Sequence, residues 1–330
     1  MTRQFVKQLG DQESVDEVFV ASGKQLRPNR NGNLYLQVQL SDRSGAINAM
    51  LWNANEKMYR SFENGDYVRA EGTSQLYQGA IQMIATQITK ADVSEVKEED
   101  FMAIDTQHID HLSVRLAEIL RTVEDVHLRT LAEAFMADDE FMRKFTRAPA
   151  GVKNHHAYVG GLLEHVVNIM EVSLAIAGRY PQLDRDLLIL GIFLHDMGKI
   201  NELSYDRGFA YTDEGQLIGH LVIAVGLLEK KVAEAEHLAG EPIPGDLVLQ
   251  LKHMIVSHHG SYEYGSPKLP MTLEAVALHH LDNLDAKIHS FDQLMRDDPS
   301  VDSLWTHYNA NLGRKLYKSD ARIREGEEES

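Results

Sequence analysis

The sequence predicts a multidomain chain: a small all-β barrel followed by an all-α helical bundle. Three observations predict it. Apolar residues alternate with period two up to about residue 90 and recur with a period near 3.6 from Phe101 onward. The charge steps at the same place. Residues 1–92 hold ten Lys/Arg and ten Asp/Glu, whereas residues 93–330 hold 23 basic and 40 acidic residues and so carry the whole net charge of −17. Histidine follows: none of the sixteen precedes residue 93, and twelve lie between His155 and His289. A length of 330 residues also exceeds what one hydrophobic core usually serves. The acidic stretch Val93–Asp100 (VSEVKEED) marks the boundary. The expected division is a barrel over 1–92, a helical connector over 93–150, a bundle over 151–312 and an acidic tail over 313–330 that ends EGEEES.

The strands come first. An apolar run at 15–26 is followed by a Pro/Asn/Gly loop at 27–33 (RPNRNGN). Leu34, Leu36, Val38 and Leu40 then alternate with Tyr35, Gln37 and Gln39, which gives a strand with one buried face. SDRSG at 41–45 is a turn, and 46–52 is the next strand. Met58, Tyr59 and Phe62 give 53–62 helical spacing. Asn64-Gly65-Asp66 turns into a strand at 67–75, and Tyr77-Gln78-Gly79 turns into one at 80–89. Three strands, a short helix and two strands is the order of a five-stranded Greek-key barrel, the OB-fold.

This stretch resembles OB-fold nucleic-acid-binding modules in LSDRSGAINAMLW and GDYVRAEGTSQLYQGAIQM. The resemblance implies a strand 2–3 face on which bases stack and cationic side chains meet phosphates. Tyr35, Gln37 and Gln39, with Arg27, Arg30 and Arg43 from the loops, are the candidates for that face. The competing reading makes Tyr35 and Trp52 partly buried sheet residues and the arginines solvated charges.

The helices follow. A connector helix at 111–136 has Leu112, Leu116, Ile119, Leu120, Val123 and Leu131 on one face, and its exposed side permits a homo-oligomer. The Gly-containing loop 148–161 (APAGVKNHHAYVGG) leads to five helices, at 162–177, 186–197, 216–238, 246–258 and 272–295. Thr272 after Pro270 is the expected N-cap of the last.

Composition narrows the chemistry. The absence of Cys removes disulfides, thiolate zinc sites and a cysteine nucleophile, so any metal is held by His, Asp or Glu. An intracellular, cytoplasmic protein is expected. No apolar run approaches the roughly 18 residues of a membrane span, and MTRQFVKQLGDQES is no signal peptide. A charge of −17 argues against a generic nucleic-acid coat. Each of the five helices carries a metal-capable side chain: His165, His195-Asp196, His220, His258-His259 and Asp282. Facing helices of a bundle build metal sites by such convergence. A lone His on an apolar face, as in LLEHVV, is more often a structural residue. In ILGIFLHDMGKI, however, an apolar helix runs into His195-Asp196, and burying Asp196 without a cation would cost several kcal/mol.

In order, His165, then His195-Asp196, then Asp282 resembles the H…HD…D signature of HD-domain metal-dependent phosphohydrolases. HHAYVGGLLEHV, LHDMGKI, GHL, SHHGSYEYGSPKLP and LHHLDNLDAK are similar to the YhaM-type 3′→5′ exoribonucleases, which also place an OB-fold before the HD domain. The resemblance implies that His165, His195, Asp196 and Asp282 ligate a first metal. It implies that Asp196 bridges to a second metal held by His220 and His258, with His259 an added candidate. Asp285 is the rival for the last ligand. Lys199 is either a catalytic cation facing phosphate or a helix-end cation on free carbonyls. His155 and His156 either touch substrate or close a loop. His279, His280 and His289 are read as surface residues or as support for the ligands.

The expected function is hydrolysis of single-stranded RNA, and of single-stranded DNA as a further substrate, from the 3′ end by a metal-activated water. Asp196 and Lys199 are the catalytic residues in this reading. Manganese is the expected ion, with Fe, Co, Ni, Zn and Mg as alternatives, and one or two ions bound. Two rivals stand: a phosphohydrolase of free or cyclic nucleotides, and a non-enzymatic OB-fold binding protein with a metal-stabilised HD scaffold.

Overall fold

A computed structural model of the chain describes residues 3–29, 32–77, 80–92, 96, 100–101, 106–151, 158–204, 210–296, 298, 300 and 303–318. The chain divides into two compact units, the first made of the residues up to Thr106 together with Ser204 and Ala210.

The first unit is a closed barrel. Strands β1 (Ser14–Pro28), β2 (Leu34–Asp42), β3 (Gly45–Trp52), β4 (Tyr67–Tyr77) and β5 (Ala80–Lys90) lie in the order β1-β2-β3-β5-β4. Closure depends on the length of β1. Its first half pairs with β4, from Ser14↔Thr73 to Val20↔Tyr67. Its second half pairs with β2, from Val20↔Ser41 to Pro28↔Leu34. A register shift between Ser22 and Gln25, with Gly23 at φ 59°, supplies the bend between the halves. The parallel pair β3–β5 closes the other side. The alternation in β2 points Leu36, Val38 and Leu40 inward with Phe19, Val68 and Met83, all fully buried. The expected helix at 53–62 shortens to one turn, α1 (Glu56–Tyr59), where the Asn55 side chain accepts from the Met58 N–H.

The second unit is helical. The single connector helix expected at 111–136 is two: α2 (Thr106–Leu120) and α3 (Val126–Met136). Asp125 breaks the run, because its carboxylate accepts from the N–H groups of His127 and Leu128 and starts α3 as an N-cap. A further helix, α4 (Asp139–Phe145), was not expected. Then come α5 (Gly161–Ala177), α6 (Arg185–Leu194), the one-turn α7 (Lys199–Glu202), α8 (Asp213–Ala239), α9 (Gly245–Ser257) and α10 (Leu273–Arg296). Between α7 and α8 the two-residue strands β6 (Leu203–Ser204) and β7 (Ala210–Tyr211) pair. Thr272 caps α10 as expected, accepting from the Ala275 N–H at 3.1 Å.

Every residue of α6 from Leu187 to Leu194 is buried, so α6 is the central helix of this unit. Phe193 meets Phe135, Phe141 and Phe145 at ring separations of 5.2–6.2 Å. The chain ahead of the acidic terminus is also structured. Trp305 bridges Tyr317 and Asn309 bridges Arg314, so part of the expected tail pairs with residues before it. Residues 319–330 lie outside the described residues.

Gly72 sits at the β4 irregularity, where an added Cβ would lie 2.2 Å from the Ile84 carbonyl oxygen. A Gly72→Ala chain is expected to lose about 2 kcal/mol of barrel stability, read by urea unfolding of the first unit's signal. A change below about 0.5 kcal/mol would show that β4 and β5 part easily there.

Candidate metal centre

The buried helix α6 ends in the site. The second expected helix extends to Met197, but α6 stops at Leu194, with His195 as its C-cap. A tight turn through Asp196-Met197-Gly198 then starts α7. Gly198 makes the turn: a Cβ there would lie 2.1 Å from the His220 carbonyl oxygen. This close approach sets α7 against α8. The kink in α8 is at Gly219, whose φ of 73° starts a new helical segment at His220.

Five imidazoles are held the same way. His165 Nδ1 faces Asp285 Oδ2 at 2.7 Å and His220 Nδ1 faces Glu202 Oε1 at 2.9 Å. His195 Nδ1 faces the Ile192 carbonyl at 2.7 Å, His258 that of Ile255 at 2.8 Å and His259 that of Tyr264 at 2.9 Å. Each acceptor keeps a ring proton on Nδ1 and so turns Nε2 towards the cluster. For His195 and His258 the anchor is the carbonyl three residues back, a helix-end oxygen that needs a donor.

The Nε2 atoms converge on Asp196. His195 and His165 lie 3.4 and 3.8 Å from its Oδ2, and His220 and His258 each lie 3.5 Å from its Oδ1. Asp282 Oδ1 is 3.3 Å from His165 Nε2. His259 Nε2 is 3.2 Å from His220 Nε2. The ligand-capable atoms of His165, His195 and Asp282 lie within 4.8 Å of one another, as do those of His195, Asp196 and His258, and those of His220, His258 and His259. The seven metal candidates of the sequence therefore meet in one place. Asp285 is brought there too, on the Nδ1 side of His165.

The electrostatics match. Burial opposes charge on Asp196, yet Lys199 and His195 beside it hold its carboxyl well below the usual range. Burial likewise opposes charge on Lys199, and Asp196 at 2.6 Å outweighs it and pushes the ammonium up. Burial pushes His258 down to about 4 and lowers His259, so both stay neutral near pH 7. Among the described residues, His195 Nε2 and Asp196 Oδ1 are buried polar atoms without a hydrogen-bond partner. Leaving such atoms unsatisfied costs about 1–3 kcal/mol each. The facing Nε2 atoms of His220 and His259 also call for a cation or a shared proton. An all-N/O donor set around a buried carboxylate fits a divalent metal.

One supporting residue, Glu202, escaped the sequence reading, and a second, His279, falls on the supporting side of its two readings. Glu202 accepts from both the His220 N–H, at 3.0 Å, and the ring. His279 Nδ1 meets the His258 carbonyl at 2.7 Å, and a Cβ at Gly260 would lie 2.1 Å from its ring. The only hint of Glu202 in the sequence is its place three residues beyond Lys199, which does not by itself separate it from a solvated acid.

On the barrel, Tyr35 pairs with Trp52 across β2 and β3, the rings 5.1 Å apart, and Gln37 pairs with Met50. Arg27 is opposite Tyr35 on β1 and donates from Nε to Gln25 Oε1 at 2.8 Å. Arg43 is at the other end of β2, about 26 Å along the strand from Tyr35, with its guanidinium 4.4 Å from the Phe5 ring centre. Of the described arginines, Arg27 therefore lies beside Tyr35 and Arg43 does not. Arg30, His155 and His156 lie outside the described residues.

Removing Glu202 leaves the His220 ring without its acceptor. Glu202→Ala is expected to weaken Mn²⁺ binding about 10- to 100-fold by calorimetric titration, and unaltered affinity would contradict this role. A pH dependence follows from His165. Burial opposes its charge, but Asp282 and Asp285 outweigh burial and raise it to about 9 in the metal-free protein. Stabilisation from this raised value is complete below the unfolded value of about 6.5 and disappears as pH rises towards 9. Relative to His165→Gln, the metal-stripped chain is expected to lose roughly 3 kcal/mol between about pH 6 and 9 in urea unfolding. A difference that stays flat with pH would contradict it.

Comparisons with known proteins agree with this architecture. The OB-fold nucleic acid binding domain family matches residues 19–91, and the HD domain family matches residues 162–287. The chain is 36% identical over 284 residues to the 3′-5′ exoribonuclease YhaM of Bacillus velezensis, covering 86% of this chain and 88% of that one. It is 35% identical over 284 residues to that of Bacillus subtilis, with the same coverage. It is 35% identical over 266 residues to that of a Geobacillus species, covering 80% of each chain. With a five-stranded barrel ahead of a helical His/Asp cluster and this coverage by its relatives, the chain belongs to the YhaM family of 3′-5′ exoribonucleases.

Proposed function

We propose that this chain is a metal-dependent 3′-5′ exoribonuclease, cytoplasmic, acting on single-stranded RNA with manganese as its ion. The observation that carries this reading is Asp196, a buried carboxylate with imidazole Nε2 atoms facing each of its oxygens. His165, His195, Asp196 and Asp282 would hold one ion. Asp196 Oδ1, His220, His258 and His259 would hold a second. Divalent ions so bound supply a Lewis acid for the phosphoryl oxygens and lower the pKa of a water molecule.

The chain's own groups do the rest. Asp285 holds the His165 ring, and Glu202 holds the His220 ring. Lys199, kept protonated by Asp196, is a poor proton donor, so its role is to place fixed positive charge beside a phosphodiester. Asp196 keeps that ammonium in place at 2.6 Å. On the barrel, Tyr35, Trp52 and Gln37 offer a face for the bases, with Arg27 beside it.

Incubation of 5′-labelled single-stranded RNA with Mn²⁺ is expected to give a ladder that shortens from the 3′ end. His195→Ala with Asp196→Ala should lower the rate about 10³-fold or more and leave RNA binding intact. No degradation with Mn²⁺, Mg²⁺, Co²⁺, Ni²⁺ or Zn²⁺ would refute the proposal. Faster cleavage of mononucleotides than of oligomers would favour a nucleotide phosphohydrolase.

A further inference from the structure

The motif SHHGSYEYGSPKLP supplies His258 and His259 and then continues into a loop with no role so far. Tyr262–Tyr264 form a single 3₁₀ turn. Ser261 starts it, its hydroxyl accepting from the Glu263 N–H, and Gly265 ends it in the left-handed region at φ 81°. Ser266 is buried and donates to the Val256 and Lys268 carbonyls, which ties the loop to α9. The loop is therefore built, and it still leaves Tyr262 66% and Tyr264 72% exposed. Two large aromatic side chains held in water by an ordered turn bury little surface for folding.

Their position is fixed by the cluster. The Tyr264 carbonyl accepts from His259 Nδ1 at 2.9 Å, while Nε2 of the same ring lies 3.2 Å from His220 Nε2. One imidazole therefore separates the backbone of this turn from the metal-ligand atoms. The turn that carries the tyrosines therefore adjoins the centre.

We infer that Tyr262 and Tyr264 form a stacking platform for bases near the 3′ end of the RNA strand. The inference rests on the exoribonuclease reading given above. Its chemistry suits the charge of the chain. Residues 93–330 hold all of the −17, so long-range attraction cannot draw phosphates to this unit. Stacking needs no positive charge, and every base has a π-face, so the contact is indifferent to sequence. Lys268 is exposed four residues further along the loop and adds a single cation for the backbone phosphate.

The test pairs the two tyrosines with the bases they would hold. The full chain with Mn²⁺ is assayed on a 5′-labelled oligoribonucleotide and on the same oligomer with abasic residues at its last positions. Tyr262→Ala/Tyr264→Ala should raise KM for the ordinary oligomer about tenfold or more, with kcat within about twofold. The double variant should change KM for the abasic oligomer little, and Tyr262→Phe/Tyr264→Phe should behave as the unmodified chain on both. Unchanged KM for the ordinary oligomer in the Ala variant overturns the platform. So does an equal rise on both oligomers, or a joint loss of kcat and manganese binding. If the unmodified chain cleaves neither RNA, the exoribonuclease reading fails and the platform falls with it.

Discussion

The helical unit is organised around one electrostatic constraint, the burial of the Asp196 carboxylate. Taking a carboxylate out of water costs several kcal/mol unless cations or donors replace the lost hydration. Lys199 supplies one positive charge from the next turn of chain. Oδ1 receives no hydrogen bond, and four imidazole nitrogens surround the carboxylate at 3.4–3.8 Å. On the Oδ1 side, burial keeps His258 neutral, and a neutral imidazole cannot neutralise a carboxylate. The imidazoles and Asp196 become mutually favourable once divalent charge stands between them. In this sense the cluster is a fold element left unbalanced without its ion.

The rest of the unit keeps that geometry rigid. The buried run of α6 from Leu187 to Leu194 brings Asp196 into the interior, and the sharp exit at Gly198 brings α7 against α8. Gly219 breaks α8 so that the next residue, His220, presents both its N–H and its ring to Glu202. Each of the five rings around Asp196 is locked at Nδ1, twice by a carboxylate and three times by a backbone carbonyl. Such supports hold ligands in place before an ion arrives and lower the ordering entropy that binding must overcome.

The sequence showed more of the centre than of its supports. His165, His195-Asp196, His220, His258-His259 and Asp282 were legible as metal-capable side chains distributed over five helices, and the resemblance to the H…HD…D pattern made them a ligand set. The barrel was legible from the alternation at Leu34–Leu40 and from its turn signals. Glu202 was not, because an acid near the end of a one-turn helix looks like any solvated charge until α8 is placed against it. The break between α2 and α3 was missed because the apolar face runs on through Val123, while Asp125 acts as a cap by hydrogen bonds that periodicity does not register. Spacing alone left Asp285 and Asp282 as rivals. In the fold, Asp285 faces Nδ1 of His165 and Asp282 faces Nε2, a distinction that depends on ring orientation.

The central claim is that the two oxygens of Asp196 face two separate metal positions. Anomalous X-ray scattering from crystals of the full chain grown with Mn²⁺ tests it directly. The account predicts two peaks flanking Asp196, one on the side of His165, His195 and Asp282 and one on the side of His220, His258 and His259. A fully loaded crystal with no peak at Asp196, or with manganese only at sites remote from these side chains, would contradict it.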